Sequence, residues 1–93
     1  MEVAVSPIGN VTPEYPSSLR ESGTEGQVVV EFVVTENGRV DMSSVKIVES
    51  SHALFSASVK EALPRMKFSP AKIGGTSVKQ YVRQPFTFKL TRA

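Results

Sequence analysis

Gly26-Gln27-Val28-Val29-Val30-Glu31-Phe32-Val33-Val34-Thr35-Glu36-Asn37-Gly38-Arg39-Val40 is the stretch that decides how this chain folds. Val28, Val30, Phe32 and Val34 fall on alternate positions, so in an extended backbone they share one face, the period of a strand with one side in a core. Asn37-Gly38 is a residue pair favoured in type I′ hairpin turns, where both central positions need positive φ. The chain is therefore expected to return antiparallel from Val40. Upstream, Tyr15 to Gly23 reads as a short helix. Pro16 sits in its first turn, where the missing N–H is not needed, and Leu19 points inward with Tyr15. Gly23 follows as the left-handed stop. Short helix, strand and hairpin in that order predict an α+β sandwich.

The returning strand, Val40 to Val48, slips in phase. Val40 and Met42 share one parity and Val45 and Ile47 the other, so either an extra residue bulges at Ser43-Ser44 or Met42 faces solvent. Ser50 or Ser51 is placed to cap the next helix. In that helix Phe55, Val59, Ala62, Leu63 and Met66 recur at spacings of three and four, an apolar stripe for one sheet face. Pro64 removes an intrahelical bond, so the helix is expected to kink or finish near Leu63. After Pro70 and a Gly74-Gly75 turn, Ser77 to Leu90 reads as the last strand. Val78, Val82, Phe86, Phe88 and Leu90 face the core; Lys79, Tyr81, Arg83, Thr87 and Lys89 face away. Pro85 cannot donate to a ladder, which makes this an edge strand, and an open edge is where a guest strand can add. Residues 1–12, interrupted by Pro7 and Gly9, read as an extended lead-in to a single domain over 13–93.

Ninety-three residues hold one core and no second. There is no cysteine, hence no disulfide or thiolate site. Met1 to Val5 lacks the basic start and apolar run of a signal peptide, and nowhere do about 18 apolar residues follow one another. The net charge of +2 hides an asymmetry. Residues 1–50 carry eight acidic groups against three basic, and residues 51–93 one acidic group against eight basic. The halves either neutralise each other in the fold or leave a basic face, around the last strand, that attracts acidic partners.

Catalytic chemistry finds few residues. A nucleophilic triad needs a base, and the one histidine, His52, stands at a helix start, where it caps or faces solvent. Neither a metal ligand set nor a catalytic carboxylate pair can be assembled, and Gly74-Gly75-Thr76-Ser77 lacks the spacing of a phosphate loop. A basic sheet face bearing Tyr81 could stack bases, but it holds one aromatic and no run of basic, glycine and aromatic residues, so no nucleic-acid partner is expected.

Tyr15-Pro16, Glu25-Gly26 with the strand that follows, Ser50-Ser51 ahead of an amphipathic helix, Phe68-Ser69-Pro70-Ala71, Gly74-Gly75, and Gln84-Pro85-Phe86-Thr87-Phe88-Lys89-Leu90 form an ordered series. In this order and spacing, from about Pro13 to Leu90, it resembles the C-terminal domain of TonB-type energy transducers. The resemblance implies a three-stranded antiparallel sheet with both helices on one face, in the order helix, strand, strand, helix, strand. It further implies a periplasmic domain of an inner-membrane protein that captures the TonB box of outer-membrane transporters and passes on energy from the proton-motive force. The membrane anchor, with its ExbB/ExbD-type motor, would then belong to a region outside this chain. No cofactor is implied.

Matched position by position, Pro13, Tyr15 and Pro16 fall on the family's Pro-x-Tyr-Pro segment beside the bound peptide, with Thr12 where well-known members carry glutamine. Tyr81, Val82, Arg83, Gln84, Pro85, Phe86, Thr87 and Phe88 fall on the strand that pairs with it. Met66 stands where many relatives have tryptophan. Two alternatives are compatible with the same pattern: a TonB-like interaction module of a sensor, secretion or motility protein, and a structural domain that forms a weak homodimer through its open edge.

Overall fold

The computed structural model describes residues 3–90. Glu2 and Arg92, which enter the charge balance, lie outside them, as do the ends of the lead-in and of the domain. The elements are strand β1 (Ser6–Ile8), helix α1 (Ser17–Glu21), strands β2 (Gly26–Val34) and β3 (Val40–Ser50), helix α2 (Ala53–Ala62), and strands β4 (Lys67–Ser69), β5 (Ala71–Ile73), β6 (Thr76–Val78) and β7 (Gln80–Phe88). The main sheet is three-stranded and antiparallel in the order β3-β2-β7. Two small antiparallel pairs, β1–β4 and β5–β6, accompany it.

The alternation in β2 has the expected result. Val28, Val30, Phe32 and Val34 are fully buried and meet Phe55, Val59, Ala62 and Leu63 of the helical stripe, with Leu19 and Phe88 closing the same cluster. Phe55 and Phe88 stack at 4.3 Å between ring centroids. Tyr15 stands edge-on to both, at 5.6 and 5.7 Å, and its hydroxyl donates to the Thr24 carbonyl. α1 ends as read: the Thr24 N–H reaches the Leu19 carbonyl at 2.8 Å and the Gly23 N–H that of Arg20 at 3.2 Å, with Gly23 at φ 71°. This pair of bonds satisfies carbonyls that a five-residue helix cannot satisfy internally. At the other helix, Pro64 turns Leu63–Arg65 into a 3₁₀ turn directly after Ala62.

Four expectations need correction. The hairpin is not type I′. No described residue other than glycine has positive φ, and Asn37 therefore stays in the ordinary region. Instead the Gly38 N–H bonds the Thr35 carbonyl at 3.0 Å and the Thr35 N–H bonds that of Arg39 at 2.8 Å, with Gly38 at φ 76°: a type I turn closed by one left-handed residue. Thr35 Oγ1 supports this form by accepting from the Asn37 and Arg39 N–H groups.

The slip in β3 is larger than one residue. Glu31 pairs with Lys46 and Val33 with Asp41, so Met42 to Val45 all lie opposite Phe32, and a second shift follows at Val29/Val30. Ser44 Oγ takes over the Val33 N–H at 2.8 Å and donates to the Asp41 carbonyl, so the bulge keeps its main-chain donor satisfied. Met42, carried outward by the bulge, is exposed.

α2 is capped by neither serine. His52 Nδ1 accepts the Leu54 N–H at 3.0 Å, while Ser51 Oγ is engaged with the Gln27 main chain, accepting its N–H at 2.8 Å. Finally, the last strand does not run unbroken from Ser77. β6 folds back on β5 around Gly74-Gly75 and β7 begins after Lys79, so Val78 lies opposite Ala71 in that hairpin and not in the main core.

Candidate functional site

β7 is an edge strand that pairs with β2 alone, with Val29 opposite Pro85, Glu31 opposite Arg83 and Val33 opposite Tyr81. Which of its main-chain groups are left over follows from β2. The N–H groups of Val33 and Gln27 point to the β3 side, to Ser44 and Ser51. In an antiparallel ladder, main-chain groups alternate between the two neighbours. The β7 residues opposite them, Tyr81 and Thr87, and by the same parity Arg83 and Pro85, therefore turn their main-chain groups to the free edge. Pro85 thus stands where its missing N–H costs the sheet nothing. It leaves a one-residue gap among the outward donors, and its carbonyl takes a bond from Gln84 Nε2 at 3.1 Å.

Side-chain parity follows the opposite rule and divides the strand. Val82, Gln84 and Phe86 are half-buried and Phe88 is buried on the helix side, whereas Tyr81, Arg83, Pro85 and Thr87 are exposed on the outer face. The lead-in runs beside this strand in the same direction. The Val5 N–H donates to Gln80 Oε1 at 3.0 Å, Ile8 and Val11 lie near Gln84 and Phe86, and Thr12, Pro13 and Tyr15 lie near Pro85 to Lys89. β1 is held there by β4, whose Phe68 pairs with Pro7.

Two hollows open between the lead-in and β7. A groove of about 270 Å³ is lined by Thr12, Pro13, Tyr15, Pro85, Phe86, Thr87, Phe88 and Lys89. A cavity of about 170 Å³ adjoins it across Phe86, lined by Pro7, Ile8, Gly9, Val11, Met66, Lys67, Phe68, Gln84 and Phe86. The groove gathers seven of the sequence-predicted site residues, and Gln84 lines the cavity. Val82 instead packs against the core. Tyr81 and Arg83 stand on the outer face.

There Glu31 joins them. Tyr81 Oη donates to Glu31 Oε1 at 2.5 Å and Arg83 Nη1 lies 3.3 Å from Oε2. The Tyr81 hydroxyl, and after it Arg83, hold the Glu31 carboxyl below its ordinary pKa, and the bond to the carboxylate raises that of the tyrosine. Tyr15 is also raised, first by burial and then by Glu25. Arg83–Glu31 is thus one contact by which the basic half neutralises the acidic one. Lys67, Lys72, Lys79 and Lys89 form no ion pair among the described residues, so basic charge persists around the strand. Among those residues no three histidine, cysteine or carboxylate side chains converge on a metal site.

Sequence reasoning missed the lead-in wall, Ile8 and Val11 above all, and Glu25, whose Oε2 accepts the Leu90 N–H at 2.6 Å and ties down the end of β7. Ile8 and Val11 are apolar residues of the extended lead-in, but their spacing, broken by Pro7 and Gly9, did not show what they face. Glu25 had no local signal, because its partner lies 65 residues away.

The architecture is thus an open-edged α+β sandwich with a walled groove along its last strand. The family model for the Gram-negative bacterial TonB protein C-terminal region matches residues 3–90, and the chain belongs to that family. It is 30% identical over 89 residues to Protein TonB of Pseudomonas aeruginosa, covering 95% of this chain and 25% of that protein. To Protein TonB of Escherichia coli it is 41% identical over 63 residues, 67% of this chain and 26% of that one. The chain therefore spans about a quarter of these curated relatives. The solution NMR structure of the Pseudomonas aeruginosa TonB CTD superposes with a TM-score of 0.79 at 30% identity, covering 96% of this chain and 89% of that one.

Proposed function

We propose that this domain is the periplasmic end of an energy transducer. It captures the TonB box of an outer-membrane transporter as an added strand on β7 and transmits to it energy drawn from the proton-motive force through an ExbB/ExbD-type motor. Membership of the TonB C-terminal family supports the transducer reading. The observation that carries the capture step is the β7 edge itself, where the main chain of Tyr81, Arg83, Pro85 and Thr87 turns outward beside a groove walled by Thr12, Pro13 and Tyr15.

A guest strand there gains main-chain bonds that net about 0.5–1.5 kcal/mol each, offset in part by the cost of ordering a free peptide. Binding is thus on the order of micromolar or weaker. Titration of ¹⁵N-labelled domain with a TonB-box peptide should concentrate amide shifts in residues 81–88 and 12–15. Shifts confined to β3, the opposite edge of the sheet, would refute the assignment.

A further inference from the structure

The cavity beside the groove has an apolar lining that strand addition by main chain alone leaves unused. It lies on the helix side of β7, under Gln84 and Phe86, and its far wall is the β1–β4 pair with Val11 and Met66. At about 170 Å³ it can hold a branched aliphatic side chain, since apolar cavities of about 150 Å³ take up benzene. Met66 forms part of its wall, and its thioether takes up less of this space than an indole ring would.

A strand added to the β7 edge reaches this cavity by geometry. The odd-numbered residues of β7 turn their main chain outward, so for a guest that runs antiparallel to β7 the residues opposite Gln84 and Phe86 form the closely spaced pairs of the ladder. Side chains in such pairs point to the same face, about 4.5–5.5 Å apart at Cβ. The guest's side chain at this place therefore follows Gln84 and Phe86 to the helix side, the side on which the cavity lies. The rim also favours one guest class by charge, because Lys67 lines the cavity and Lys89 the groove, both exposed and without an ion-pair partner among the described residues.

We propose that this cavity is a side-chain pocket: it receives one branched apolar residue of an extended, acidic guest peptide and so selects among peptides that the main-chain edge alone would accept equally. Ile8, Met66 and Phe86 are its selecting residues. This rests on the strand-addition reading.

The test uses two capped octapeptides of serine, threonine and glutamine with one aspartate and a single central residue, leucine in one and alanine in the other. Both are titrated into the domain with amide and methyl resonances observed. Leucine should bind at least about tenfold tighter, the contrast expected when the larger apolar side chain leaves water. The Met66 and Ile8 methyl signals should move with the leucine peptide only. Ile8→Trp, at a side chain 53% exposed and so outside the core, should abolish the preference for leucine over alanine, and a preference kept in this variant overturns the pocket. Equal affinity of both peptides, with amide shifts still in β7, overturns the pocket and leaves strand addition standing. Absence of β7 shifts with either peptide overturns strand addition, and the pocket with it.

Discussion

Gly38 can be tested against Gly75, a glycine of almost identical backbone angle. Gly38 has φ 76° and Gly75 φ 77°, so replacement by alanine imposes the same left-handed penalty on both, about 1 kcal/mol. Their surroundings differ. A Cβ at Gly75 meets nothing within 4 Å, whereas one at Gly38 would lie less than 3.0 Å from the Phe68 carbonyl oxygen. That oxygen belongs to backbone and cannot swing aside. β4 must retreat, and the bond from the Phe68 N–H to the Gly38 carbonyl, 2.8 Å long, is stretched or lost. A buried donor left unpaired costs about 1–3 kcal/mol, and Phe68 also loosens from Phe32, 6.0 Å away between centroids.

Gly38→Ala should therefore cost about 3 kcal/mol and Gly75→Ala about 1 kcal/mol. In a domain this small each kcal/mol lowers Tm by about 4–8 °C, so the two melts should separate by about 10 °C or more. Urea unfolding followed by far-ultraviolet circular dichroism measures both. If the variants fell within about 0.5 kcal/mol of each other, against total stabilities of roughly 5–10 kcal/mol, the turn would not clamp β4 as described.

The strand parity has its own test: Phe32→Ala, at a fully buried ring, should cost about 3–5 kcal/mol and come close to unfolding the domain, whereas Tyr81→Ala, 58% exposed, should leave the melt nearly in place; equal damage would invalidate the inward and outward faces. Glu31 supplies a pH test. Because its folded pKa is depressed, its contribution to stability is complete above the unfolded-state value and is lost as pH falls through the folded one. A ¹³C carboxylate titration should place its midpoint below the ordinary glutamate value, and Tyr81→Phe should raise that midpoint. No rise in the variant would remove the tyrosine as the main cause.

What could be read from residues alone was the part of the fold governed by local period. The alternation of Val28 to Val34 and the three-and-four stripe of Phe55 to Met66 both report burial directly, and both faces landed where the pattern puts them. Pro85 likewise announced an edge, because its missing donor excludes it from the middle of a sheet. What escaped were choices settled by distant contacts. Asn37-Gly38 permits either turn form, and the docking of Phe68 on the Gly38 carbonyl accompanies the one adopted. Ser50, Ser51 and His52 can each accept a helix N–H, and Ser51 is taken by Gln27. The size of the β3 bulge depends on Ser44 finding the Val33 N–H across the hairpin. At the candidate site, the residues on β7 and the Pro-x-Tyr-Pro segment were legible, but the wall of Pro7 to Val11 was not. A strand of three residues with proline at its centre and glycine directly after it carries too short a pattern to show what it pairs with.

A sheet of three strands has two rims, and a chain with two compatible rims is a monomer that can polymerise. Here the rims do not match. The β7 rim is straight over nine residues apart from one proline, while β3 is thrown out of step twice, at Met42–Val45 and again near Val48. A copy docking its β7 on another copy's β3 would lose register within a few residues, so head-to-tail growth has no regular template. Two copies can still meet β7 to β7, but that union is two-fold and consumes the straight rim of each, leaving irregular rims outside. Were copies to associate through these rims, growth would stop at the pair, so the open β7 edge does not by itself bring the hazard of fibres.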